Sequence, residues 1–360
     1  MQSSVAMKKI ILVPLVLLLG GCYGVGSQRL DHDQLDYSQA LIGSSKQQTL
    51  LNVVRLRYAD TPGFLDTTQL ISGYQLQRNI SIGVGSDSNP IRPAGAIGAQ
   101  IQESPTFTFQ PVTGDAYAQS FLRPLPPGSL LPLAMGGLPI DILFRLSVQS
   151  VNLINNAGSI GGDVGRGSPE FFELIYDLRR LQIAGLLGIQ LEHSEEIPGK
   201  TPAFDRVFLT VSSTTDPLLA EVVKSTRRFF EMGPKDERVE VVYGAGRPQH
   251  GQIRLLTRTM LGVLGQIAYQ IDVPQEDIDS GRTLPKIILI GRNTKPTVFV
   301  HVSNERPHLS FVSIKYNNKF YYISDTDFPS KLGFTMLQIL MELSKTTKNP
   351  GAVLTIPVNG

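Results

Sequence analysis

The chain has 360 residues, with 33 Lys and Arg against 31 Asp and Glu and a single cysteine. Residues 1–21 hold two of the lysines and no acid, so the remainder carries 31 basic and 31 acidic residues. That balance gives no general attraction to nucleic acid or anionic lipid, and a lone thiol excludes both an internal disulfide framework and cysteine-ligated zinc.

In chain order, the first feature is a short apolar stretch. Lys8 and Lys9 precede the run Ile10 to Leu19, and Gly20 and Gly21 follow it. A membrane-crossing helix needs ~20 apolar residues, so this run is too short to span. A basic start, a short apolar core and small residues mark residues 1–21 as a secretory signal peptide, starting at Met1 or Met7. Leu19-Gly20-Gly21-Cys22 resembles the lipobox of bacterial lipoproteins at all four positions. The resemblance implies that Cys22 receives a diacylglycerol, that the chain is cut before it, and that the new amine is acylated. Two or more acyl chains hold a protein stably where one does not. In lipoproteins of enteric-type bacteria an aspartate after the cysteine favours the inner membrane. Tyr23 stands there, so the resemblance implies the outer membrane, with the protein on its periplasmic side. The alternative is a buried free cysteine after a conventional signal peptide.

Residues 22–29 read as a lipidated tether, and 30–152 as an N-terminal region of helix and strand. In its helix, Leu50, Leu51, Val54 and Tyr58 mark one face, with Arg55 and Arg57 off it. Asp60 to Gly63 reads as a stop. The period then falls to two at Tyr74, Leu76, Ile80, Ile82 and Val84, and again at Ile97, Ala99 and Ile101, which predicts a strand pair. Residues 83–139 contain 8 Gly and 9 Pro but few charges, and keep Phe107, Phe109 and Phe121. Disordered segments are more charged and less aromatic, so this stretch reads as irregular, extended and packed on something. It forms either a surface for a partner or self-association, or part of its own domain.

A helix is predicted from Pro139 to Asn152, and another from Ser168-Pro169, with the serine hydroxyl as cap. Residues 168–360 read as a C-terminal α+β domain. It has strands at 187–193, 205–213 and 238–243, helices at Pro217–Phe230, Ile253–Ile271 and 330–345, and a last strand at Val353–Val358. Leu309–Tyr316 and Lys319–Ser324 flank Asn317-Asn318, a two-residue hairpin turn. Mixed helices with antiparallel strands, hairpins and an irregular Gly/Pro-rich middle predict an α+β fold. Two further stretches, LLNVVRLRYADTPGFL (Leu50 to Leu65) and ISDTDFPSKLGF with its sequel AVLTIPV, resemble a group of bacterial envelope lipoproteins. That likeness implies a shared fold and carries no activity with it.

Motifs for chemistry are few. Gly162 to Ser168 imitates a phosphate-binding loop in its glycines but lacks the lysine that partners the phosphates. No HExxH joins any of His32, His193, His250, His301 and His308, although His301 and His308 sit near one turn. Asp325 and Asp327 form a DxD that either holds a hard cation or caps a helix, and the cap is favoured. Serine-hydrolase signatures are missing. Glu195-Glu196 reads as a solvated loop, and Arg179-Arg180 and Arg227-Arg228 as wet helix faces. No catalytic residue, metal or cofactor is expected. The preferred reading is a lipid-anchored structural or interaction component of the outer membrane; the alternative is a periplasmic enzyme whose site is assembled from residues distant in sequence.

Overall fold

Between Val25 and Arg57 the chain has no proline and glycine only at Gly26 and Gly43, and it forms one helix of 33 residues, α1. The structure, a computed structural model, describes residues 25–82, 95–158, 165–194, 204–287 and 295–345. Cys22, Glu195-Glu196, Gly162 to Val164 of the Gly162–Ser168 loop and the strand expected at Val353–Val358 lie outside the described residues. The expected tether is already helical from Val25 onward. Leu35 and Ile42 on α1 are exposed, whereas Leu50, Val53 and Val54 are fully buried. The helix, about 50 Å long at 1.5 Å per residue, is thus an arm whose last turns are embedded in the core.

The predicted strand pair follows at once. β1 (Leu65–Ile82) and β2 (Gly95–Pro111) run antiparallel from Leu65↔Pro111 to Ile82↔Gly95, with one irregularity between Thr67 and Gln69. They form a separate two-stranded sheet, a ribbon about 55 Å long at ~3.3 Å per residue. The rest of the Gly/Pro-rich stretch folds into short helical turns at Gly114–Tyr117, Ala118–Leu122, Pro127–Leu130 and Pro132–Met135. Two of these start on a proline, whose fixed φ suits a first turn.

The body follows: α2 (Ile140–Ser147), β3 (Val148–Val151), β4 (Ile154–Asn155), α3 (Pro169–Ile183), β5 (Leu187–Ser194), β6 (Phe204–Val211), α4 (Pro217–Phe229), β7 (Arg238–Tyr243), β8 (Gln252–Thr257), α5 (Met260–Ala268), α6 (Gln275–Asp279), β9 (His301–Ser303), β10 (Ser310–Tyr316), β11 (Lys319–Ser324) and α7 (Phe328–Ser344). A six-stranded sheet has the order β4-β3-β8-β7-β6-β5, and a three-stranded sheet the order β10-β11-β9. All pairs are antiparallel except β7 with β8. Only residues 244–251 join that parallel pair, and Gly244, Gly246 and Gly251 take the positive φ that so tight a return requires. One continuous apolar core runs from Leu50 on α1 to Leu340 on α7, drawing on both regions read from the sequence, so the fold is α+β.

Several elements differ from expectation. The helix expected over Ile253–Ile271 is instead β8, a two-residue corner and α5. Along β8 burial alternates, with Ile253, Leu255 and Thr257 inward, but Leu256 breaks the alternation in the sequence itself. The helix expected to Asn152 ends at Ser147, because Val148–Val151 pairs with β8. Ser168 does not cap α3, since its hydroxyl accepts the Asn155 N–H at 3.1 Å. Arg227 is not a wet face: its guanidinium donates to the carbonyls of Val211, Gly233 and Asp236.

Arg258 is fully buried, and its fork donates to the carbonyls of Arg145 (3.2 Å), Leu146 (3.2 Å) and Ala157 and to Gln266 Oε1 (2.8 Å). It satisfies the carbonyls at the C-terminus of α2, where a cation also meets the helix dipole favourably. Burial pushes its pKa down to about 9.

The hairpin between β10 and β11 has Asn317 at φ 45° and Asn318 at φ 62°, the left-handed pair of a type I′ turn. Asn318→Gly should therefore leave the melting temperature near wild type. Asn318→Val, forced to positive φ, should lower stability by ~1–2 kcal/mol in denaturant titration. Equal midpoints would count against this turn.

Candidate functional site at the root of the ribbon

Arm and ribbon both start from residues 49–65, and this junction gathers the most unusual side chains among the described residues. Asn52, 1 % exposed, donates to the Gly63 carbonyl at 2.7 Å and accepts its N–H at 3.0 Å. Ala59, with φ 55°, ends the helix. The two bonds fold the turn back onto the helix and fix where β1 begins. Phe64, next in the chain, stacks on Phe121 with centroids 3.8 Å apart, and its carbonyl accepts the Val112 N–H at 3.0 Å. Phe121 is therefore part of the core rather than of an exposed association surface. Phe121→Ala should cost roughly 3–5 kcal/mol in denaturant unfolding, since the stack leaves a cavity behind.

Arg57, expected to be off the apolar face, is only 2 % exposed. Its Nη2 donates to the Leu284 carbonyl, and its guanidinium carbon lies 5.5 Å from the centre of the Tyr269 ring. Nε and Nη1 have no partner among the described residues. Burial pushes its pKa down, while the nearby tyrosines oppose that shift. Beside it, Tyr58 Oη lies 2.7 Å from Asp277 Oδ2 and 2.6 Å from Tyr321 Oη. A carboxylate only accepts, so Tyr58 donates to Asp277 and Tyr321 donates to Tyr58. Arg282 completes the chain at 3.1 Å from Asp277 Oδ1. The chain ties the end of α1 to β11 and α6. Burial, then the bonds to Tyr321 and Asp277, push the Tyr58 pKa strongly up.

That shift has a sign. Unfolded tyrosine loses its proton near pH 10, whereas folded Tyr58 keeps it, so the folded state binds more protons above ~10. Stability from this group is complete below pH ~10 and falls as the pH rises further. Tyr58→Phe should lose ~1–3 kcal/mol at pH 7 and show a shallower decline between pH 9.5 and 11 than wild type, measured by urea midpoints.

Three hollows surround this root. One of about 530 Å³ lies between α1 and α7 and includes Leu41, Thr49, Phe64, Phe121 and Met341. Another, about 780 Å³, includes Leu51, Arg55, Leu65, Val112, Tyr117 and Ile314. A third, about 660 Å³, is bordered by Lys46, Arg306, His308 and Lys315 around Phe311, with Lys46 Nζ 3.8 Å from the ring centre. Desolvation and then Lys331 push the Lys46 pKa down.

The candidates from sequence lie elsewhere. Asp327 caps α7, accepting from Ser330 N at 3.2 Å and Ser330 Oγ at 2.6 Å, while Asp325 accepts from Lys331 at 2.8 Å. The two carboxylates thus have separate partners, and the capping reading describes Asp327. His301 stacks on Tyr322 with centroids 5.1 Å apart, and His308 borders the cationic hollow. Gly167 has φ 82°, and a Cβ there would stand 2.8 Å from the Ala157 N, so this glycine serves close packing. Among the described residues no three His, Cys, Asp or Glu side chains gather as metal ligands, and no helix is long and apolar enough to cross a membrane. Comparison with protein-family models, curated proteins and solved structures finds no match for the chain.

Proposed function

We propose that the chain is a lipid-anchored outer-membrane protein facing the periplasm, where it acts as a structural or interaction component of the cell envelope. The observation that carries this reading is Leu19-Gly20-Gly21-Cys22, a complete lipobox ending in the sole thiol of the chain. The form of the molecule supports it. A helical arm begins at Val25, just after the expected anchor, exposes Leu35 and Ile42, and ends in the core beside a long two-stranded ribbon. Such an arm places a folded body at a distance from a membrane, and a ribbon offers backbone edges to other chains. The membrane is contacted through the lipid on Cys22, and the protein partner is another envelope protein or another copy of this chain. Tyr23 favours the outer over the inner membrane.

Metabolic labelling with a radioactive fatty acid tests the anchor. Wild type should incorporate label and fractionate with outer membranes, whereas Cys22→Ser should accumulate as an unlabelled, uncleaved precursor. Normal maturation of the serine variant would sink the reading.

A further inference from the structure

Strand β10 is an edge strand, with β11 on one side and, among the described residues, no strand on the other. In an antiparallel pair the N–H and C=O of one residue point to the same side, and successive residues point to opposite sides. The Ser313 carbonyl accepts from Gln47 Nε2 of α1 at 3.5 Å, so Ser313 turns away from β11 and its N–H does the same. Lys315, two residues further in the same register, follows it. The open edge of β10 therefore turns backbone donors towards α1.

The hollow of about 660 Å³ lies along this edge, within the ~300–1,000 Å³ range of small-ligand sites. Its border carries three full cations: Lys46 from α1, Arg306 from the loop before β10, and Lys315 from β10 itself. His308 adds a further nitrogen, and no Asp or Glu stands on that border. The nearby carboxylates are engaged elsewhere, Asp325 with Lys331 at 2.8 Å and Glu276 with Lys319 at 2.9 Å. Among the described residues, neither they nor Glu305 forms an ion pair with the three cations. Lys46 also shares the Phe311 ring with Lys331, the two ammonium nitrogens standing 3.8 and 5.4 Å from its centre. Two like charges on one ring repel, and an anion in the hollow relieves that repulsion.

A glycine supports the same reading. Gly43 lies within α1, where glycine is less favourable than alanine. A Cβ there would meet nothing within 4 Å, so packing against the body does not require a glycine. Gly43 borders the hollow, and its missing side chain leaves that space open.

We propose that this hollow binds a phosphorylated ligand, with Lys46, Arg306 and Lys315 supplying the positive charge and the Ser313 N–H a neutral donor. Phosphate suits the site better than carboxylate. It carries up to two negative charges, and its tetrahedral oxygens meet donors converging from helix, loop and strand edge. The planar fork of Arg306 matches two of those oxygens. The remaining volume takes the group that bears the phosphate. Because donors come from both α1 and β10, an occupied hollow fastens the arm to the body. The phosphate belongs either to a soluble ester or to a lipid headgroup, and the test separates the two. The proposal stands on this geometry and not on the lipobox, so the failure of one leaves the other intact.

The test is calorimetric titration of the full chain, purified in neutral-detergent micelles. One probe is inorganic pyrophosphate; the other is phosphatidic acid added in mixed micelles. Saturable one-to-one binding of pyrophosphate supports the site with a soluble ligand, and binding of phosphatidic acid alone supports it with a lipid. Lys46→Gln and Arg306→Gln should each weaken binding about tenfold, as expected for losing a charge-assisted hydrogen bond. Gly43→Leu, which fills the hollow, should abolish binding while its melting temperature stays at or above wild type. Lys224→Gln, which removes an equal charge from the exposed side of α4, should leave binding unchanged. No saturable binding of either probe would overturn the proposal. So would binding that survives both Lys46→Gln and Arg306→Gln, or that Lys224→Gln weakens as much as they do.

Discussion

The pair of hydrogen bonds between the Asn52 carboxamide and the Gly63 backbone decides where the chain leaves the core. Everything N-terminal to it is helical arm, and everything just after it is ribbon. A buried carboxamide can satisfy a backbone donor and acceptor at once only where chain and side chain meet in one orientation. Losing that side chain would leave the Gly63 groups without those partners, at the cost of a desolvated peptide. The Phe64–Phe121 stack then closes the apolar side of the same junction.

Two buried guanidinium groups hold the surroundings of this junction, by different means. Arg258 meets carbonyl and amide oxygens through most of its fork, so its burial satisfies groups that a helix end and a loop would otherwise leave bare. Arg57 has one carbonyl and the face of Tyr269. Its desolvation is offset less completely by direct bonds, and the tyrosine cluster supplies the remaining electrostatic support. Charge burial of this kind is poor evidence of stability. Here it gives α1 a fixed end, because the cation has its partners only when the last turn is seated on Tyr269 and Leu284.

What was legible in the sequence follows the range of the forces involved. The Asn317-Asn318 turn and the strand at Arg238–Tyr243 are set by local stereochemistry and could be read directly. The ribbon pair was legible from its period, though not its continuation to Pro111, where Pro105 and Ser104 interrupt the apolar signal. β8 was hidden, since Ile253 to Ile271 is apolar at too many positions for a single period to dominate. Arg57 could not be placed, because its burial depends on Tyr269 and Leu284, more than two hundred residues away in the chain. The same distance concealed the Tyr321–Tyr58–Asp277 chain, whose residues come from three elements with no shared motif. The root of the ribbon was thus the least legible part of the molecule, because its contacts join side chains that no local period or motif brings together.

A ribbon and a body with such different bonding needs cannot owe their stability to the same source. The body has its own continuous core and two sheets, enough to hold it without help. A two-stranded sheet in water is marginal on its own, and its ladder bonds gain little net energy against water. The ribbon instead draws on its root, where the Phe64 carbonyl accepts the Val112 N–H at 3.0 Å and the Phe64 ring stacks on Phe121, so the ladder starts from a point already fixed by the core.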